Sequence, residues 1–387
     1  MPPIVLAELA GSAQYGGGER YLEVLFGRLD RSRFQPLLIC PEPGPFVEAM
    51  QRRGIPTHVV TLSPLVNPLA LLRLARLLAR EGVTILQTHG ARANAYGRLA
   101  GRFAGVPFII STVHNSLRDY EVSSLKRGLY QAALRFTLPL VDRIICVSEA
   151  LRKDLTEECP SAGNRAVTVY NGVETTPFAS SGNRTEVRHA FGIRQGPMLV
   201  AIGRLTEQKG HRYLLQALPA LLTRWPALRC VFVGEGALRD ALRELATQLG
   251  VAQVCLFAGS REDIPDILAA ADVVVLPSLS EGFPFVALEA LAAGRPVVAA
   301  RVNGVPELIE DGRTGRLFPP RDTTALSAAL QEVLNDPDRS AAMAQEGRRL
   351  VQARFTADRM VADTAAVFES LVRGAGDQKS VEKSVAA

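Results

Sequence analysis

With 387 residues, 47% of them hydrophobic and 21% charged, the chain is long for a single core and too apolar for a disordered protein, so two folded domains are expected. A formal charge of +5, from 44 basic against 39 acidic residues, suits an anionic partner. No aromatic platform is interleaved with a basic stripe, which argues against nucleic acid.

The first twenty residues, MPPIVLAELAGSAQYGGGER, lack the basic start and cleavage-site pattern of a secretory signal. No run reaches the ~18–20 apolar residues of a spanning helix. Cys40, Cys146, Cys159, Cys230 and Cys255 are scattered, form no C-x-x-C pair or zinc-like cluster, and read as free thiols. The expectation is a cytoplasmic protein whose contact with a membrane is at most peripheral, on the inner face.

From the start, short β-branched runs alternate with helical patterns: IVLAEL, helix 18–29, QPLLIC, helix 45–53, THVV, helix 69–80 and VTILQTH. Helix 91–104, PFIIST, helix 125–138, DRIICVS and VTVY follow, which makes about seven strands of a covered parallel sheet. Rich in Ser, Thr, Gly and Pro, the stretch TTPFASSGNRTEVRHAFGIRQGP then reads as a linker. A second series runs through PMLVAIG, LRCVFVG, VCLFAG, DVVVLPS, PVVAA and GRLFP, and predicts a second doubly wound sheet. The expected division is an N-terminal domain over 1–175, a linker over 176–196 and a C-terminal domain over 197–355. A C-terminal helix over 356–373 packing back toward the N-terminal domain and a disordered tail over 374–387 complete it.

Chemistry concentrates where strands end. Gly16, Gly17 and Gly18 follow the first strand and precede a helix from near Glu19, where backbone N–H groups can approach an anion; a flexible turn is the alternative reading. Their spacing is not G-x-G-x-x-G with an acidic residue at the end of the second strand, which counts against a simple dinucleotide dehydrogenase. His89 ends VTILQTH and His114 ends PFIISTVH, so both fall on one sheet edge, as structural residues or as part of a site.

In the second series, Arg204 and Lys209 follow MLVAIG within GRLTEQKG, two cations suited to a diphosphate or else a solvated loop. SEGFPFVALEALAAGRP carries the strongest signal. Glu281 lies in the loop after DVVVLPS, Pro284 suits the first turn of a helix, and Glu289 sits inside that helix among Ala and Leu, where an unpaired carboxylate is costly. An ordinary acidic surface is the alternative for both glutamates. The D-x-D match at Asp336 to Asp338 falls in a helix-connecting turn and reads as a helix cap.

Taken together these residues resemble the nucleotide-sugar glycosyltransferases of the GT-B fold, in retaining glycosyltransferase family 4. The resemblance covers nearly the whole chain, through GGGER, STVHN, VSEA, VYNGVE, GRLTEQKG, VGEG, SEGFPFVALEALAAGRPVVA, NGVPE and DGRTG. It implies an α/β architecture of two Rossmann-like doubly wound domains facing a central cleft, the first binding acceptor and the second a UDP- or GDP-sugar. Carried over by position, Arg204 and Lys209 contact the diphosphate and Glu289 holds the ribose. Glu281 and the backbone of Gly282, Phe283, Pro284 and Phe285 face the donor sugar and phosphate. Glu235, in VGEG, approaches the base or ribose. Gly16 to Gly18 close over the diphosphate and His114 sits beside the sugar, with His89 and Asn115 in the acceptor region. Pro284 replaces a common glycine and Gln87 a common histidine.

Transfer in the family proceeds with retention, the acceptor hydroxyl passing its proton to the leaving phosphate, so no cofactor or bound metal is expected. A saccharide or lipid-linked acceptor in cell-envelope polysaccharide or glycolipid synthesis is implied. The basic patterns LALLRLARLLAR (69–80) and LKRGLYQAALRF (125–136) fit an anionic membrane surface or plain core helices. A nucleotide-sugar epimerase on the same fold and a catalytically silent sugar-nucleotide sensor stand as alternatives.

Overall fold

A computed structural model describes residues 3–62, 67–116, 128, 132, 133, 135–178 and 184–385, with side chains up to residue 374. The chain divides into two compact units, Met1–Tyr170 with Ala357–Ala387, and Asn171–Thr356.

In the first unit, β1 (Ile4–Leu9), β2 (Phe34–Cys40), β3 (Thr57–Val59), β4 (Ile85–His89), β5 (Phe108–Val113), β6 (Arg143–Cys146) and β7 (Ala166–Thr168) form one sheet in the order β3-β2-β1-β4-β5-β6-β7. Every pairing is parallel. A parallel sheet covered on both faces needs strands that are apolar throughout, which is why IVLAEL and QPLLIC read as continuous rather than alternating runs. Strand order reverses between β1 and β4, so the loops after these two strands diverge and leave a crevice at their carboxyl ends.

Helix Pro68–Arg80 starts sharply: Asn67 accepts a hydrogen bond from the Leu69 amide at 2.9 Å and Pro68 needs no N–H partner. Its Leu74 and Leu78 join the core with Leu9, Ile39, Leu86 and Tyr96, while Leu69 and Leu72 stay exposed. The predicted helix 125–138 lies largely outside the described residues.

The last helix, Ala357–Val385, belongs to this unit. Tyr21 bonds Thr364 at 3.2 Å, Phe34 meets Phe368 edge-on with centroids 5.8 Å apart, and Arg28 pairs with Asp358 at 2.5 Å. The helix continues to Val385, through most of the polar tail where disorder is expected from composition.

The second unit holds β8 (Met198–Ile202), β9 (Arg229–Val233), β10 (Cys255–Gly259), β11 (Val273–Leu276), β12 (Val297–Ala300) and β13 (Arg316–Phe318), in the order β10-β9-β8-β11-β12-β13. All of its pairings are parallel too, and the order reverses between β8 and β11.

One expectation is corrected here. Residues 176–196, read as a linker, are part of the second unit and carry helix Arg184–Ala190. Arg184 and Arg188 of that helix bond opposite oxygens of Asp272 at 2.5 and 3.0 Å, and Asp272 also accepts the Met198 amide at 2.7 Å. Charge-assisted bonds thus fix a segment whose own composition offers too little apolar surface to predict packing.

Candidate active site

Both reversal points collect the residues singled out from the sequence. In the second unit, Lys209 comes from the loop after β8 and Glu281 from the loop after β11. Gly210 makes their approach possible. Its φ is +62°, and a side chain there would meet the Pro277 carbonyl oxygen at 2.0 Å, so only glycine turns the chain into helix His211–Leu222 this close to the neighbouring loop. The Leu279 amide donates to the Gln208 carbonyl at 2.8 Å and the Gln208 side-chain amide to the Ser280 carbonyl at 3.2 Å, which zips the two loops together.

Across this junction Lys209 Nζ donates to Glu281 Oε1 at 2.7 Å, and Ser278 Oγ donates to the same oxygen at 2.7 Å. Glu281 is only 6% exposed. A nearly buried carboxylate requires such partners. The backbone of Glu281 is fixed as well: its amide donates to Asn303 Oδ1 at 3.3 Å and its carbonyl accepts the Gly304 amide at 3.4 Å. Asn303 holds a left-handed φ of 37° to make that bond.

Arg204, by contrast, is exposed, and among the described residues its guanidinium has no partner. Helix Phe285–Ala292 starts one residue after Pro284, whose backbone is extended, so the proline precedes the first turn predicted to contain it. Glu289 lies in the second turn of this helix and is buried. Phe283 turns its ring toward Phe355 at 5.1 Å, and its carbonyl accepts from Asn171 Nδ2 at 2.7 Å. Gly282 and Phe285 are buried around it. Glu235 is exposed and paired with Arg239 at 3.0 Å. Asp336 caps helix Pro337–Arg354 by accepting the Arg339 amide at 3.0 Å, as read from NDPD.

In the first unit, helix Gly17–Arg28 begins one residue earlier than the predicted 18–29, with Gly16 as its cap. His114 packs against Gly18, where an added side chain would lie 3.6 Å from the ring. His89 and His114 are bonded, Nδ1 to Nε2, at 2.9 Å, and His89 Nε2 reaches Glu8 Oε2 at 2.7 Å. Tyr21 stands edge-on to His114 at 5.3 Å. Burial pushes the His114 pKa down to about 4 and that of His89 well below the usual histidine range. Asn115, next in the chain, is half-buried.

Glu8 escapes sequence reasoning because a glutamate near the end of IVLAEL has no local signal. Only the register Glu8↔Gln87 brings it two residues from His89. Asn171, Ser278 and Asn303 escape it for the same reason. Among the described residues no group of three or more His, Cys, Asp or Glu is placed to hold a metal ion, and no helix is long and apolar enough to cross a membrane.

Comparison with known proteins gives this geometry its family. Residues 15–176 match Glycosyltransferase Family 4 and residues 183–350 match Glycosyl transferases group 1. A GDP-mannose-dependent alpha-(1-6)-phosphatidylinositol monomannoside mannosyltransferase of Mycolicibacterium smegmatis is 32% identical over 349 residues, 86% of this chain and 89% of its own. The chain belongs to glycosyltransferase family 4. This glycosyltransferase is also 29% identical, over 80% of its length and 83% of the other, to the UDP-Gal:alpha-D-GlcNAc-diphosphoundecaprenol alpha-1,3-galactosyltransferase of Escherichia coli. Its GT-B fold matches that of Anabaena Alr3699/HepE, solved in complex with UDP-glucose, with a TM-score of 0.84 at 23% identity over 95% of this chain and 100% of that one.

Proposed function

We propose that this glycosyltransferase moves a sugar from a UDP- or GDP-sugar to a hydroxyl of a saccharide or lipid-linked acceptor, with retention at the anomeric carbon and without a divalent ion. One observation carries the reading: at the second reversal point Arg204, without a partner among the described residues, and Lys209, aimed by buried Glu281, come from the loop after β8, and Glu281 and the amino end of helix Phe285–Ala292 from the adjacent loop after β11. That combination offers fixed positive charge to a diphosphate.

In the step proposed, the acceptor oxygen bonds to the anomeric carbon as the bond from that carbon to the diphosphate oxygen breaks, and the acceptor proton passes to the leaving phosphate. Lys209 and Arg204 stabilise the charge that builds on the diphosphate, with Glu281 as the group that orients Lys209. Glu289 holds the ribose, Glu235 lies toward the base, and His114 serves the transferred sugar. The relatives' names support both nucleotide classes and a lipid-linked acceptor. Exposed Leu69 and Leu72 on an arginine-rich helix support peripheral membrane contact, which the proposal places on the cytoplasmic side.

Calorimetry with a panel of UDP- and GDP-sugars, followed by transfer assays and NMR of the product anomer, tests this. One nucleotide class binds, the product keeps the donor's anomeric configuration, and activity survives chelation. Inverted product, or activity that vanishes with chelation and returns with magnesium or manganese, refutes it.

A further inference from the structure

Glu8, His89 and His114 form a line in which protons can be counted. The contact from Glu8 to His89 and the contact from His89 to His114, at 2.7 and 2.9 Å, each need one hydrogen, and a neutral imidazole carries one. With both imidazoles neutral, as burial favours, two arrangements satisfy both contacts; a proton shifted from Glu8 to His89 would give an ion pair with the same His114 tautomer as the second. If Glu8 is a carboxylate, it accepts from His89 Nε2–H, His89 Nδ1 accepts from His114 Nε2–H, and His114 is left with a bare Nδ1. If Glu8 is a carboxylic acid, it donates to His89 Nε2, His89 Nδ1–H donates to His114 Nε2, and His114 Nδ1 carries a hydrogen. The second arrangement holds one more proton and no net charge.

Geometry favours the second. Glu8 has no exposed surface, and its Oε1 is buried without a hydrogen-bond partner among the described residues. The ionisable groups facing it are Tyr21 from helix Gly17–Arg28, His89 from β4 and, through His89, His114 after β5; there is no lysine or arginine among them, and burial disfavours a charged His89. A carboxylate with one unsolvated oxygen and no counter-charge costs far more than the carbonyl oxygen of a neutral acid. Burial also drives the Glu8 pKa well above the usual carboxylate range.

We propose that Glu8 is a buried carboxylic acid which, acting through His89, holds His114 in the Nδ1–H tautomer, so that the ring offers a hydrogen-bond donor to an acceptor oxygen of the bound sugar. Glu8 and His89 are positioning residues. The inference rests on the proposed role of His114, but its first test does not. Among the described residues nothing else bonds His114 Nδ1, so the relay alone decides what that nitrogen presents.

Long-range proton–nitrogen NMR of the histidine side chains in the 15N-labelled full-length protein, assigned against His114→Ala, reads the tautomer directly. A protonated Nδ1 and a bare Nε2 on His114 are expected at neutral pH; the reverse overturns the inference whatever the activity. Glu8→Leu, which removes the donor, releases the tautomer and lowers kcat about tenfold, with the donor KM and nucleotide affinity unchanged. Glu8→Gln, whose amide can still donate, recovers all but about threefold of that loss. A Glu8→Leu enzyme that keeps the wild-type tautomer also overturns the relay. Wild-type turnover in His114→Ala beside an Nδ1–H spectrum supports the tautomer and refutes the placement of His114 at the sugar. Lost turnover in His114→Ala beside an Nε2–H spectrum does the opposite. If Glu8→Leu does not fold, the wild-type spectrum decides alone.

Discussion

The two reversal points use the same topology for opposite electrostatics. In the first unit, Glu8, His89 and His114 are packed so tightly that burial drives each toward its neutral form, and what survives is a directed line of hydrogen bonds. In the second, Lys209 and Glu281 form an ion pair at 2.7 Å and Arg204 stays exposed in the same loop as Lys209. One site orients and the other neutralises. On the roles proposed, a phosphate leaving group needs the second kind of chemistry and a neutral sugar the first.

Deleting the charge of the second site should have the largest effect. Lys209→Ala is expected to lower kcat by roughly 10²–10³-fold, the size seen when a donor to developing negative charge is lost, while donor affinity falls less than about tenfold. Initial rates paired with calorimetry separate the two. Glu281 is left nearly buried and without its cation, so a thermal melt must accompany the assay. If rate and affinity fall equally, the ammonium binds the ground state and the comparison fails.

Protonation sharpens the contrast. His211, 3% exposed, bonds the Arg204 carbonyl through Nε2 at 3.3 Å and leaves Nδ1 buried without a partner; burial lowers its pKa to about 4. A folded pKa below the unfolded value of about 6.5 means that the unfolded chain takes up the proton first. Stability is therefore complete above about pH 6.5 and is lost as pH falls toward 4, at up to about 1.4 kcal/mol per pH unit for each such histidine, or about 2 kcal/mol at pH 5. His114 follows the same sign in the first unit. His211→Phe, whose ring would meet Phe232 edge-on as His211 does, should flatten the acid limb of a melting-temperature profile, and an unchanged limb would show that His211 does not control it.

The strand ends were legible in the sequence because a parallel strand announces itself by a continuous apolar run, and whatever follows it lies on the binding edge. His89, His114, Arg204, Lys209 and Glu281 were found in this way. Glu8, Ser278, Asn303 and Asn171 were not, since their roles depend on partners that no local pattern indicates, such as the β1–β4 register or the fold of residues 303–304 onto Glu281. The supposed linker failed for a related reason: Arg184 and Arg188 are held by Asp272, more than eighty residues away.

A smaller loss is expected from the first site. His114→Ala removes one hydrogen bond to a neutral oxygen, about 1–1.5 kcal/mol or roughly tenfold in kcat, with nucleotide affinity intact because no charge changes. Full activity in this variant would leave the neutral line as packing and confine the chemistry to the second unit.

Least disturbing is Asn303, which tests whether the backbone of Glu281 must be clamped for Lys209 to be aimed. Its left-handed φ of 37° strains any residue with a Cβ, and its Oδ1 accepts the Glu281 amide at 3.3 Å, a long bond. Asn303→Gly relieves the strain and loses the bond, two terms of about 1 kcal/mol with opposite signs, so the melting temperature should scarcely move. Asn303→Ala keeps the strain and loses the bond, and should cost about 1–2 kcal/mol. Since both variants free the same amide, any shared drop in kcat reports on the clamp and not on stability. A drop in Asn303→Ala alone would trace the effect to strain and release Glu281 from its part in holding the cation.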